Sequence, residues 1–111
     1  MKSYGQQMSQ HHEKRLAKAV GGRTTPASGA FWSRKGDVQA DDILIEHKWT
    51  GKDRYTVKAE TLDKISTEAI LAGRTPVFMM DVGGTSWAFM HEGDLLDLIE
   101  IGRANGWKQR R

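Results

Sequence analysis

In Ile45-Glu46-His47-Lys48-Trp49 a carboxylate and an ammonium stand two positions apart within a run of strand-forming residues. A strand alternates its side chains, so Glu46 and Lys48 project from one face and Ile45, His47 and Trp49 from the other. An exposed edge strand could carry the same pair as a plain ion pair, and the spacing alone does not separate the two readings. Asp37 adds a third group. It precedes Glu46 at the start of the neighbouring strand segment, and two segments turning back on each other bring such carboxylates within metal-bridging distance. Hard oxygen ligands of this kind suit Mg²⁺, with Mn²⁺ able to substitute. A cation held there neutralises a scissile phosphate and makes bound water a better nucleophile, while a lysine orients that water or meets the transition-state charge. The chemistry open to Asp37, Glu46 and Lys48 is therefore phosphodiester hydrolysis.

These residues need elements to position them. Met8, His12, Leu16, Ala19 and Val20 recur at helical spacing, with Ser9 as a possible cap and Gly21-Gly22 as the stop. Arg23 to Ala30 is rich in Thr, Ser, Gly and Pro and reads as an exposed loop. Phe31-Trp32 opens a short strand turned by Lys35-Gly36, and Ile43 to Thr50 is the most strand-like run, expected at the centre of the sheet. Gly51 to Asp53 reads as a hairpin turn with Tyr55-Thr56-Val57 returning, followed by a helix over Glu60 to Ala72 that ends at Gly73. Pro76 to Val82 and Ser86 to His91 form an antiparallel pair through Gly83-Gly84, and a last helix capped by Asp94 directs Leu95, Leu96, Leu98, Ile99 and Ile101 inward. The expected order is αβββαββα, an α/β fold with a mixed central sheet flanked by helices.

The chain has 111 residues, 38% of them hydrophobic and 28% charged, which fits a single domain over 1–111 with tails at 1–7 and 107–111. No apolar run approaches the length of a membrane span, so no membrane partner is expected. The absence of cysteine excludes disulfides, thiolate catalysis and sulfur-ligated zinc, and fits a reducing compartment such as the cytoplasm. The net charge of +3 conceals a segregation: +6 over residues 1–36, −7 over 37–100 and +4 over 101–111. Basic ends around an acidic middle would suit a polyanion held by arms beside a carboxylate-bound cation, although basic termini also serve solubility.

Asp37 followed by Glu46-x-Lys48 on an apolar strand resembles the active site of the PD-(D/E)xK nuclease superfamily. The wider pattern comprises Glu13 on the first helix, Ser28-Gly29-Ala30, Gly36-Asp37-Val38, Ile45-Glu46-His47-Lys48, and the helix with Lys64-Ile65 and Glu68-Ala69. Over residues 8 to 91 it resembles the archaeal-type Holliday junction resolvases and their small phage relatives. Two positions depart from the pattern: Gly36 stands where the superfamily name has proline, and His47 is bulky where smaller residues are usual. The resemblance implies a restriction-endonuclease-like core, DNA as partner, four-way junctions as substrate, and a homodimer with two active sites. It implies that Asp37, Glu46 and the His47 backbone carbonyl hold the metal, that Lys48 acts on water or phosphate, and that Glu13 faces the metal site. Ser28 would approach the scissile phosphate or simply stabilise its turn.

Arg23, Arg34, Lys35 and Lys64 are candidate phosphate contacts, although charge on a helix or loop is usually just solvated. His11-His12-Glu13 lacks the second histidine at helical spacing that a metal motif needs, and is expected at a solvated helix end. The glycine-rich stretches contain no phosphate-loop motif, so no nucleotide cofactor is expected. Two other readings stay open: a nuclease of the same fold with nicking, flap or restriction-like action, and a non-catalytic DNA-binding or architectural protein.

Overall fold

The computed structural model describes residues 3–25 and 38–107. Its elements run α1 (Tyr4–Val20), β1 (Arg23–Thr24), β2 (Val38–Gln39), β3 (Ile43–Trp49), α2 (Ala59–Leu71), β4 (Thr75–Val82), β5 (Thr85–Met90) and α3 (Glu92–Ala104). The five strands form one mixed sheet in the order β1-β2-β3-β4-β5, in which β3 and β4 are parallel and every other pair antiparallel. The parallel pair is joined through α2, since parallel neighbours need a crossover.

The order of element types matches expectation, but two strands are not the expected ones. Arg23–Thr24, read as loop, pairs with Val38–Gln39 and edges the sheet. The expected hairpin at Gly51 to Asp53 with a returning strand Tyr55–Val57 does not form. β4 takes one edge of β3 along its whole length, and the chain after Trp49 crosses to α2 instead. The expected strand at Phe31-Trp32 and turn at Lys35-Gly36 lie outside the described residues, as do Ser28, Arg34 and Asp37.

α1 begins earlier than the apolar period indicates. Ser3, not Ser9, is the cap: its hydroxyl accepts from the Gln6 N–H at 3.1 Å while the Gln6 amide oxygen accepts from the Ser3 N–H at 2.8 Å. Gly21, at φ 67°, closes the helix in the left-handed conformation that glycine adopts without strain.

The sheet is covered on both faces. Leu16 and Ala17 of α1 pack on Val38, Ile45 and Val77, whereas Ile65 and Ala69 of α2 pack on Leu44. Because Leu44 and Ile45 are neighbours on one strand, α1 and α2 lie on opposite faces. α3 departs from expectation. It starts at Glu92, two residues before the expected cap, and none of its residues is buried, including the leucines and isoleucines expected to point inward. It follows the outermost strand, and α1 already covers the central strands of the face toward which α3 turns.

Candidate active site

Alternation along β3 divides its side chains as the sequence predicts. Glu46 and Lys48 share the α2 face with Leu44, while Ile45, His47 and Trp49 lie on the α1 face. The Lys48 ammonium is 3.9 Å from Glu46 Oε2, with 46% of the lysine side chain and 22% of the glutamate side chain exposed. Both charges thus reach solvent from a constrained base. Their register partners on β4 are Phe78 and Met80, both buried. Tyr55 from the crossover packs on Phe78 at 6.5 Å between ring centroids. An apolar floor of this kind lowers the local dielectric and strengthens the field of the pair.

β2 meets β3 beside this pair. Val38, which follows Asp37 in the chain, is in register with Ile45, which precedes Glu46. The Ala40 N–H donates to the Ile43 carbonyl at 3.0 Å. In an antiparallel ladder alternate residues share such bonds, so the odd residues of β3 turn their backbone groups toward β2. His47 is one of them, and it lies beyond Ile45, the last β3 residue that β2 reaches among the described residues. Its carbonyl and the Glu46 carboxylate are hard oxygen donors of the type that Mg²⁺ takes. Among the described residues no three His, Cys, Asp or Glu side chains form a metal-holding group.

The opposite face carries a different cluster. The rings of His12 and His47 stack at 4.7 Å with 25° between planes. His12 Nε2 lies 3.6 Å from Asp81 Oδ2, which also accepts from the Ser86 hydroxyl at 3.1 Å. Arg15 has only donors and approaches His12 Nδ1 at 3.2 Å, so the proton of the neutral ring sits on Nε2, toward Asp81. Burial lowers the pKa of His12, against the raising effect of Asp81. Burial, reinforced by the charge of His12, lowers that of His47 to about 4. The expectation of a solvated end for His11-His12-Glu13 is overturned: with α1 starting at Tyr4 these residues fall mid-helix, and His12 and Glu13 are buried while His11 is exposed.

Glu13 lies on this α1 face. It lines an open recess with Ser9 and Gln10 of its own helix and with Trp49, Thr50 and Lys52. Sheet alternation puts Glu46 and Lys48 on the other face, so the structure joins those two and sets Glu13 across the sheet from them. Arg23 sits on β1, where its guanidinium donates to Gln39 Oε1 at 3.3 Å. Lys64 is exposed on α2.

Sequence reading missed the cations of the crossover. Lys52, Arg54 and Lys58 are exposed along the segment that leaves β3 just past Lys48. The Gly83 N–H donates to the Lys52 carbonyl at 3.2 Å and the Thr50 N–H to the Asp81 carbonyl at 3.1 Å, which ties the start of this segment to β4. Its signal was the recurrence of cations at 48, 52, 54 and 58, obscured by reading the stretch as a hairpin.

Among the described residues no helix is long and apolar enough to cross a membrane. Comparison with protein-family models, curated proteins and solved structures gave no match.

Proposed function

We propose that the chain is a metal-dependent, structure-selective DNA endonuclease of the PD-(D/E)xK type, a Holliday junction resolvase that hydrolyses phosphodiester bonds at four-way junctions as a homodimer. The observation that carries this reading is the Glu46–Lys48 pair, 3.9 Å apart on one face of β3, at the place where the strand following Asp37 meets it. A structural ion pair would not need the end of β2 to approach it.

In this reading Asp37, Glu46 and the His47 carbonyl hold Mg²⁺, which supplies charge neutralisation at the phosphate and a more acidic water. Glu46 is a ligand through its carboxylate, and the Phe78 and Met80 floor limits its freedom to turn away. Lys48 directs its half-exposed ammonium at a phosphate oxygen or the attacking water. Lys52, Arg54 and Lys58, with Lys64 on α2, hold the flanking backbone. Glu13 and His12 support α1 against the sheet from behind.

The test incubates the protein and its Glu46→Gln variant with labelled four-way junction, duplex and flap DNA, in Mg²⁺ or EDTA. Paired nicks confined to the junction, dependent on Mg²⁺ and reduced at least about 100-fold in the variant, are expected. Equal cutting of all three substrates would move the activity to a general nuclease. Junction binding with no cutting by either protein would sink the catalytic reading in favour of an architectural role.

A further inference from the structure

The outer strand β5 places aromatic rings on the face that carries the candidate site. Register sets Glu46, Phe78 and Phe89 in one row across β3, β4 and β5, and Lys48, Met80 and Trp87 in the next. These side chains all project from the α2 face. α3 turns toward the other face, where Leu98 and Ile101 border a groove with Val77 and Met79. Phe89 and Trp87 keep 42% and 58% of their surface exposed. Two large rings side by side in water form a patch, which marks a recognition surface in a way that a lone exposed residue does not.

Between α2 and β5 the same face opens into a recess of about 120 Å³, walled by Leu62, Ile65 and Ser66 of α2, by Phe78, and by Phe89 and His91. The Phe78 and Phe89 rings meet edge to face at 6.2 Å. Ser66 Oγ and His91 Nε2 are hydrogen-bonded at 3.1 Å. The recess thus combines ring faces with one hydroxyl–imidazole pair.

We propose that this recess takes one unstacked pyrimidine base of the bound DNA, beside the phosphate that Lys48 meets, with Trp87 receiving the face of the neighbouring base. The proposal rests on the nuclease reading for its ligand and names how that site engages the bases of a junction. Size selects a single ring. A closed cavity of roughly 150 Å³ holds benzene, so an open recess of about 120 Å³ admits a six-membered ring and crowds the fused rings of a purine. The chemistry is matched as well: a pyrimidine brings a π-face to Phe89 and a polar edge to Ser66 and His91. The serine hydroxyl rotates to donate or accept, and a neutral imidazole offers one N–H and one acceptor.

Placement and charge point to DNA rather than to a free apolar molecule. Strands spaced about 4.8 Å apart set Phe89 about 10 Å from Glu46 across the sheet, the length of about three stacked nucleotides. Lys48, Lys52, Arg54 and Lys58 are exposed between β3 and the start of α2, and Lys58 lies one turn before Leu62. A backbone held by these cations carries its bases past the recess, whereas a neutral ligand would need none of them. Drawing a base out of its stack costs least where stacking is already interrupted, as it is at a branch point.

The test measures binding in EDTA, where cleavage plays no part, by fluorescence anisotropy of a labelled four-way junction and of the same junction with abasic sites in place of its branch-point pyrimidines. The parent chain should bind the abasic junction about 10-fold more weakly, the loss of one base–aromatic stack. Phe89→Leu, which keeps apolar bulk but no ring, should bind both junctions alike at the weaker level. Its slope of affinity against salt should match the parent's, because the phosphate contacts remain. Should that variant misfold by circular dichroism, Ser66→Met, which fills the recess from α2, should give the same loss. Purines at the branch-point positions should weaken the parent as abasic sites do. A parent chain that binds intact and abasic junctions equally would overturn the proposal, and Mg²⁺-dependent cutting by that chain would leave the nuclease reading standing without the recess. The same abasic loss in the parent and in Phe89→Leu would overturn it too, since the base would then be met elsewhere. Base-dependent binding that Phe89→Leu abolishes, with no cutting in Mg²⁺, would support the recess and sink the catalytic reading.

Discussion

The inner sheet and its outer end obey opposite versions of the burial rule. Under α1, at the centre, two histidines, a glutamate and an aspartate are buried: His12, His47, Glu13 and Asp81. At the outer end α3 exposes leucine after leucine. By composition alone the assignment would be reversed, since α3 is the more apolar helix and α1 carries His, Glu, Lys and Arg through its middle. What differs is position. α1 lies across β1, β2 and β3, where any side chain on its inner side is enclosed, whereas α3 hangs from β5, the last strand of the sheet. Burial follows from how much sheet lies beneath a helix, and hydrophobicity decides only how costly the outcome is. The inner region is therefore enclosed, and the outer end is left open.

The sharpest way to break this contrast is a matched pair of truncations. Ile45 is fully buried, at 0% exposure, in the cluster shared by α1, β2 and β4. Ile45→Ala should cost about 2–5 kcal/mol, the combined loss of burial and of packing around the cavity left behind. Leu96→Ala, at the outer end, should cost less than about 1 kcal/mol. Urea unfolding of both variants at low micromolar concentration compares them directly. Equal costs would mean that α3 is packed within the single chain, and the two regions would not differ as described.

The buried imidazoles give a second, smaller contrast, one that only the inner region can show. His47 has its folded pKa depressed to about 4 from an ordinary value of 6.5, chiefly by burial, and His12 is shifted the same way. Between those values the unfolded chain binds a proton that the folded chain refuses, so stability rises with pH across the window. The contribution of His47 is complete above about 6.5 and is lost as pH falls toward 4, at about 1.4 kcal/mol per pH unit and about 3 kcal/mol in all. Thermal unfolding from pH 7.5 down to 4.5 should trace this decline, and His47→Phe, which keeps a ring against His12, should flatten most of it. A slope unchanged in the variant would assign the acid sensitivity to other groups.

The sequence made the site's strand legible and its surroundings only partly so. Two-residue alternation is a local property of any strand, so the shared face of Glu46 and Lys48 could be read without knowing the sheet. The start of α1 could not be read from apolar periodicity, because Ser3 and Gln6 set it through a polar capping box in a stretch with little apolar signal. That shift of about a turn moved His12 and Glu13 from an expected helix end to the buried side. The missed crossover has a different cause. Gly51 to Asp53 carries turn chemistry, but whether a returning strand forms depends on the edges left to it, and β4, drawn from 26 positions beyond the end of β3, occupies one of them along its whole length. Nor could the uncovered state of α3 be read from its pattern, since the same leucine spacing serves a helix packed on its own sheet and one packed on a partner.

The smallest expected effect on stability is also the most informative about purpose. Lys48 and Glu46 approach only to 3.9 Å, with the lysine side chain nearly half exposed, and an ion pair so placed contributes between nothing and about 1 kcal/mol. Lys48→Ala should therefore leave the unfolding midpoint almost unchanged, within about 0.5 kcal/mol. If the pair exists for chemistry, the same variant should lose junction cleavage while keeping junction binding, because Lys52, Arg54 and Lys58 still meet the backbone. If it exists for structure, neither cleavage nor binding should change beyond the small loss of stability. Stability and activity measured on one protein preparation separate the two outcomes, and a variant that is strongly destabilised would show that the inner region relies on this pair more than its exposure allows.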